Sequence, residues 1–208
     1  MMKIEADWLS DPGPRAVIEA LARGGHRALY VGGTVRNALL GLAPGDIDIA
    51  TDARPERVME LAAAAGLKPV PTGFDHGTVT VVAGHRGIEV TTFRRDVETD
   101  GRRAVVAFSD AIEHDAERRD FTMNALYATA GGEVIDPLGG LPDLLARRVR
   151  FVGDPAARIA EDSLRILRFF RFHACYGDPE GGIDAEGLAA CAAGVDGIAA
   201  LSRERIGA

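Results

Sequence analysis

Apolar residues change their spacing along this chain, and the change falls near residue 136. Before it, short apolar runs and alternations bounded by glycine or polar turns predict strands at 29–31, 46–49, 78–82, 88–93, 104–108 and 134–135. Helical periodicity is interleaved at 14–23, 34–40, 55–65 and 115–127, and Gly24-Gly25, Gly41 and Gly66 end the first three of these helices. Thr51 or Asp52 is placed to cap the helix at 55–65, with Pro55 in its first turn. The runs at 78–82 and 88–93 read as a hairpin turning at Gly84-His85-Arg86-Gly87. The stretch RRDVETDGRR at 94–103 is too polar to pack and is expected as a loop. From Asp143 onward the pattern is helical, apart from an extended piece at 149–152. Strands first and helices afterwards predict an α+β fold, with a catalytic domain over 1–140 followed by a helical one over 141–208.

At 208 residues the chain has room for one large domain or two small ones, and its 47% hydrophobic and 26% charged residues are those of an ordinary globular protein. No apolar run approaches the roughly 20 residues that span a bilayer, and the start, MMKIEADWLSDPG, has no signal-peptide core. A cytoplasmic protein without membrane partners is expected. Cys175 and Cys191 lack zinc-type spacing and read as reduced core residues. The net charge of −7 argues against a generic nucleic-acid binder, so any RNA contact has to come from local arginines.

Candidate chemistry concentrates in LYVGGTVRNALLGLAPGDIDIAT, residues 29–51. Gly32 and Gly33 stand between a strand and a helix, where backbone can approach phosphate oxygens and the helix N-terminus supplies amide donors. Arg36 adds a full positive charge. Beyond the loop, Asp46 and Asp48 share one strand face while Ile47 and Ile49 point into the core. Two carboxylates that close stay ionised together only around a positive charge, and Mg²⁺ is the usual one. Either motif alone is commonly just a turn or a solvated strand end; together they read as a phosphate cradle followed by a metal anchor. Glu89 alternates with apolar neighbours and is either a third carboxylate on the metal face or a solvent-facing residue. His114-Asp115 has the look of a metal-dependent phosphohydrolase pair but lacks further ligands, and no Ser-His-Asp or zinc spacing is present.

The second informative stretch is EDSLRILRFFRF, 161–172, expected as one helix. At about 100° per residue, Asp162, Arg165, Arg168 and Arg171 step around one side while Ile166, Leu167 and Phe170 form the opposite one. Surface ion pairs such as Asp162 with Arg165 are the plain reading. The functional reading uses hydrogen-bond directions. A carboxylate beside a guanidinium matches the amino donor and ring acceptor of cytosine or adenine, and mismatches guanine and uracil at a cost of about 1 to 3 kcal/mol per unpaired group.

GGTVRN, DIDIAT, PTGFDHGTVTVV, IEVTTFRRDVETDGR, ERRDFTMNAL, DPLGGLPDL and RIAEDSLRILRFFRF resemble the successive motifs of the class II tRNA nucleotidyltransferase and bacterial poly(A) polymerase family, in that family's order. The resemblance covers roughly residues 30–206. It implies a polymerase-β-like nucleotidyltransferase head, then an all-helical neck, with body and tail domains beyond. It also implies that Gly32, Gly33 and Arg36 cradle the triphosphate, that Asp46 and Asp48 hold Mg²⁺, and that Arg119 contacts the nucleotide. Asp162 and Arg165 would select the base, with Arg168 and Arg171 completing the pocket. ATP and CTP are then the expected substrates and the tRNA 3′ end the expected acceptor, with an A-only or poly(A)-adding relative and a nucleotide-binding fragment without efficient turnover as alternatives. Two departures stand out: Asn37 occupies a position where the family often has Asp, and LSRERIGA resembles the start of a further neck motif, with Ser202 as N-cap, that stops at Ala208.

Overall fold

The computed structural model describes residues 2–99 and 104–207, so the part of the expected polar loop at 100–103 lies outside the described residues. A 3₁₀ turn at Asp7–Ser10 leads into α1 (Pro12–Arg23), β1 (Ala28–Val31) and α2 (Gly33–Leu39). Then come β2 (Asp48–Thr51), α3 (Pro55–Ala64), β3 (Lys68–Gly73), β4 (Thr78–Ala83) and β5 (Arg86–Thr92). β6 (Arg94–Thr99) and β7 (Ala104–Phe108) are followed by α4 (Ile112–Glu117), a 3₁₀ turn at Thr122–Asn124, β8 (Tyr127–Ala128) and β9 (Val134–Ile135). The remainder is helical: α5 (Leu141–Leu145), α6 (Pro155–Glu161), α7 (Leu164–Tyr176), α8 (Ala185–Ala193), a 3₁₀ stretch at Val195–Ala200 and α9 (Arg203–Ile206). The order of strands before residue 136 and helices after it is the one the sequence pattern predicts. Among the described residues, no helix is long and apolar enough to cross a membrane.

Seven strands form one mixed sheet in the order β3-β4-β5-β2-β1-β8-β9, while β6 and β7 pair separately. The β2–β5 pair is parallel and the other neighbours are antiparallel. Alternation splits the central strands between two buried faces. Tyr30 and Ile49 join Val17, Ile18, Leu21 and Val58 from α1 and α3 on one side; Leu29, Val31 and Ala50 join Phe93, Ile112, Ala116 and Tyr127 on the other. Because Asp48 sits two residues before Ala50, its side chain belongs to the second face, beyond the end of that apolar cover.

Several local expectations change. Neither Thr51 nor Asp52 caps α3; Arg54 stands at its N-cap without a side-chain bond. The Thr51 hydroxyl instead donates to Arg27 O at 2.5 Å, and Asp52 accepts from His26 and Arg27 at 3.0 Å each. Within the expected loop, residues 94–99 are strand β6, because the backbone of β7 supplies hydrogen-bond partners that side-chain polarity does not reveal. The helix expected over 115–127 ends at Glu117, and Tyr127 belongs to a strand. β3, whose residues are no more than half-buried, has no counterpart in the expected elements. Cys175 is exposed rather than a core residue, whereas Cys191 is buried.

The helical segment attaches through aromatic rings. Phe121 lies 5.0 Å from Phe151 and 5.0 Å from Phe172 between ring centroids, and Phe151 stacks on Phe169 at 5.2 Å. This selects the buried stripe of α7: Ile166, Phe169 and Phe172 face inward, while Phe170, expected inward, is 44% exposed. All of these inward residues belong to the same apolar cluster as the α1 and α3 side of the sheet.

Candidate active site

The chain leaves β1 through Gly32, whose φ of +69° is a conformation that side-chain-bearing residues rarely adopt. The Gly32 amide donates to Leu126 O at 3.1 Å, and α2 begins at the next residue. In that first turn the amides have no partner four residues back inside the helix. Arg36 follows one turn later and is 6% exposed. Its Nη1 donates to Asn124 Oδ1 at 2.6 Å, its Nη2 to Asn37 Oδ1 at 2.9 Å and to Tyr176 Oη at 2.8 Å, and its Nε to Asn37 Oδ1 at 3.1 Å. Burial lowers the guanidinium's pKa, opposed by Tyr176 and Asp120. Asn37 uses both ends of its amide, accepting from Arg36 and donating to Ala43 O at 2.9 Å. A carboxylate there could not make the second bond.

Asp46 is exposed just ahead of β2, and Asp48 is the half-buried first residue of that strand. Ile47, expected in the core, is half-buried and packs against it. Asp48 pairs in register with Glu89 of β5 on the parallel neighbour, and Glu89 is exposed. Burial pushes the Asp48 carboxyl up to about 6; Glu89 and Asp46 push the same way, and Arg119 opposes them. So Asp46, Asp48, Glu89 and Arg119 share one electrostatic neighbourhood. Hard carboxylate oxygens gathered around Asp48 are a donor type suited to a hard divalent cation. Among the described residues, no three His, Cys, Asp or Glu side chains are grouped so that they could hold a metal ion, which leaves Asp46 and Asp48 as a two-carboxylate candidate without Glu89 as a third ligand. Beside them, a cleft of about 560 Å³ is lined by Trp8, Pro44, Asp46, Arg86 and Ile88.

Arg119 reaches this neighbourhood from the turn after α4 because Asp115 holds it. The fully buried Asp115 accepts from Arg119 Nη2 at 2.8 Å, from Arg118 Nη2 at 2.6 Å and from the Tyr127 hydroxyl at 2.7 Å. Burial alone would raise this carboxyl, but Arg119, Arg118 and Tyr127 hold it down at about 2. Arg119 also donates to Asn124 O at 3.4 Å, behind the glycine turn.

The stretch 161–172 is not one helix. α6 ends at Glu161, Asp162 is extended at φ −157°, and α7 starts at Leu164. Asp162 therefore does not pair with Arg165: its Oδ2 accepts from Arg205 Nη2 at 2.9 Å and its Oδ1 from Leu164 N at 3.1 Å. Arg165 donates to Glu161 Oε2 at 2.6 Å and to Arg158 O at 2.9 Å. Arg168 is fixed by Asp120 through Nε at 2.7 Å and Nη2 at 2.6 Å. The exposed Arg171 lines a groove of about 280 Å³ with Leu164, Leu167, Arg168, Arg205 and Ile206. Ser202 caps α9, accepting from Arg205 N at 3.4 Å.

Two groups of residues thus emerge. Gly32, Gly33, Arg36 and Arg119 lie around the glycine turn, with Arg119 also acting on the carboxylates at Asp48; Asp162, Arg165, Arg168 and Arg171 lie along the α6–α7 junction. Asp120 and Asn124 bridge them, since Asn124 Nδ2 donates to Asp120 Oδ1 at 2.8 Å. Sequence reasoning meets Asp115 only as half of a His-Asp pair with no further ligands, and does not single out Asp120, Asn124 or Tyr176. Only the i, i+3 and i, i+4 spacing of Asp115 with Arg118 and Arg119 carried a signal.

The mixed seven-stranded sheet with its helices is the fold of a polymerase-β-like nucleotidyltransferase head. Residues 28–150 match the poly A polymerase head domain, and the chain belongs to that family. It is 42% identical over 203 residues to the mitochondrial CCA tRNA nucleotidyltransferase 1 of Mus musculus, covering 97% of this chain and 47% of that protein. It thus spans about half the length of the curated relatives it matches. The crystal structure of the Bacillus stearothermophilus CCA-adding enzyme in complex with CTP superimposes with a TM-score of 0.81 at 38% identity, over 91% of this chain and 45% of that one. A tRNA nucleotidyltransferase complexed with a primer tRNA and an incoming ATP analog gives a TM-score of 0.71 at 27% identity, over 91% of this chain and 53% of that one.

Proposed function

We propose that this chain is the nucleotidyltransferase part of an enzyme that adds CMP and AMP, from CTP and ATP, to the 3′ end of tRNA. The observation that carries the reading is the in-register pairing of Asp48 with Glu89, within electrostatic reach of Arg119 and Asp46. The names of the mouse relative and of the CTP- and primer-tRNA-bound structures support the substrates. Enzymes of this family generally use a divalent metal. Magnesium is the proposed ion, and Asp46 and Asp48 would hold it. When bound, it supplies neutralisation of the charge that builds on the α-phosphate during in-line attack by the 3′-hydroxyl. Arg36, Arg119 and the Gly33 amide bind the triphosphate, with the turn at Gly32 letting the backbone come close, and so orient pyrophosphate as the leaving group. Asp162 and Arg165 read the base edge, and to do so they exchange the present contacts with Arg205 and Glu161 for base atoms. In domain terms, residues 1–140 form the head and 141–208 the neck. The cytoplasm is the proposed compartment, in keeping with two free cysteines.

The family model, a poly A polymerase head, favours one alternative, addition of AMP alone. Incubating the protein with Mg²⁺, tRNA lacking its CCA end and each labelled nucleotide in turn separates the two. Incorporation of both CMP and AMP supports the proposal; AMP alone supports the alternative, and no incorporation removes both for this chain.

A further inference from the structure

Arg36 is an unusual cation: it is 6% exposed, and its oxygen partners Asn37, Asn124 and Tyr176 are all uncharged. Among the described residues no carboxylate stands within ion-pair distance of it. Neutral acceptors orient a guanidinium without cancelling its charge, and Asp120, the carboxylate that acts on it from farther off, is itself paired with Arg168, so much of the field at the glycine turn is kept for an incoming anion. Of the three partners, Asn37 is its chain neighbour and Asn124 lies behind the same turn. Tyr176 alone comes from the helical segment, 140 residues away, in the last turn of α7.

Tyr176 makes two contacts with that one group. Its hydroxyl oxygen accepts from Nη2 at 2.8 Å, and the guanidinium carbon lies 4.0 Å from its ring centroid. Phe172, one turn earlier, has its ring 5.2 Å from both Arg36 and Arg168. Phe172 and Tyr176 themselves pack at 5.3 Å. Arginine carries a large rotamer entropy, and a ring face plus a hydroxyl remove much of that freedom before any ligand arrives. The same helix carries Arg165 and Arg168 at its start. One rigid element therefore spans the base-reading end of the site and the phosphate-binding end.

We propose that Tyr176 is a positioning residue that holds Arg36 in the attitude needed to bind the nucleotide triphosphate, and so couples the base-reading helix to the phosphate cradle. The inference rests on the reading of Arg36 as a triphosphate ligand.

The test is calorimetric binding of ATP, with Mg²⁺, to this chain and to Tyr176→Phe, Tyr176→Leu, Arg36→Met and the double variant Arg36→Met/Tyr176→Leu. AMP is measured by displacement as the phosphate-poor comparison. Tyr176→Leu is expected to weaken ATP about tenfold and Tyr176→Phe about threefold, with AMP changed less than about twofold, from loss of the hydrogen bond and the cation–π contact. In the Arg36→Met background, Tyr176→Leu is expected to have no further effect on ATP. Equal weakening of ATP and AMP overturns the proposal, because it marks loosening of the helix rather than of the arginine. An undiminished Tyr176 effect in the Arg36→Met background overturns it as well. If Arg36→Met itself leaves ATP affinity unchanged, the assignment of Arg36 is what fails, and this inference falls with it. Should Tyr176→Leu not fold, Tyr176→Phe keeps the ring and decides the question through the same ATP-to-AMP ratio.

Discussion

Asp48 and Glu89 stand directly opposite each other on parallel strands, one half-buried and the other exposed. The pairing is the reason a short DID motif carries more charge than its own two carboxylates. Asp48→Asn keeps the volume and removes the charge, so transfer to a CCA-less tRNA is expected to fall to background in the labelled-nucleotide assay. Normal transfer by that variant would sink the metal-anchor assignment.

The same residue makes a stability prediction for the metal-free protein. Its folded pKa, about 6, is raised above the usual value, so ionisation is the costly state in the fold. The contribution of Asp48 to stability should therefore fall as pH rises from about 4 to about 6 and then level off. Asp48→Asn, which has nothing to ionise, is expected to melt at or above the wild-type temperature at pH 7.5, with the advantage vanishing near pH 4. A variant that melts lower at pH 7.5 contradicts the assignment of burial and like charge as the cause.

Asp115 predicts the opposite pH behaviour. Its folded pKa is depressed to about 2, so its stabilisation is complete above the unfolded value near 4 and is lost as pH falls toward 2. Asp115→Asn leaves two arginines facing a neutral amide and is expected to cost about 3–5 kcal/mol in urea unfolding at pH 7. The gap from wild type should narrow between pH 4 and pH 2.

For base choice, Asp162→Ala is expected to relax discrimination among the four nucleotides more than it weakens their affinity, because Arg36 and Arg119 sit apart from it. Equal losses for all four, with unchanged ratios, favour a plain structural role through Arg205.

Nucleotide and RNA binding should separate. ATP or CTP with Mg²⁺ is expected to bind measurably in calorimetry, since the residues assigned to nucleotide all lie within the described chain. At a net charge of −7, tRNA has only local arginines to meet, so its affinity should be weak and fall steeply with salt. Tight tRNA binding at physiological salt would mean that the RNA site is misplaced.

The elements legible in the sequence are those whose cause is local. The apolar run at 29–31, the alternation at 78–82, glycine stops after the early helices and Ser202 before α9 all act within a few residues of the structure they specify. What was not legible depends on distant partners. β6 is too polar to read as a strand and exists because β7 pairs with it. Asp162 leaves the helix and meets an arginine 43 residues later, which no periodicity encodes. On α7 the periodicity places Ile166 on the buried side correctly but Phe170 wrongly, because Phe121 and Phe151, not the helix's own charge pattern, decide which rings turn in. At the site, motif residues could be named one by one. The brace of Asp115, Asp120, Asn124 and Tyr176 that orients them could not.

The ring cluster in which Phe121 meets Phe151, Phe169 and Phe172 also bears on how such proteins can be recombined. Phe121 and Phe169 are both completely buried, yet they lie on opposite sides of residue 150, where the family match ends. A chimera cut at that point would carry a head and a helical segment whose aromatic surfaces had never been fitted to each other. Exchange between relatives is therefore constrained to transplant the rings as a set, and the family boundary is a poor place for a crossover.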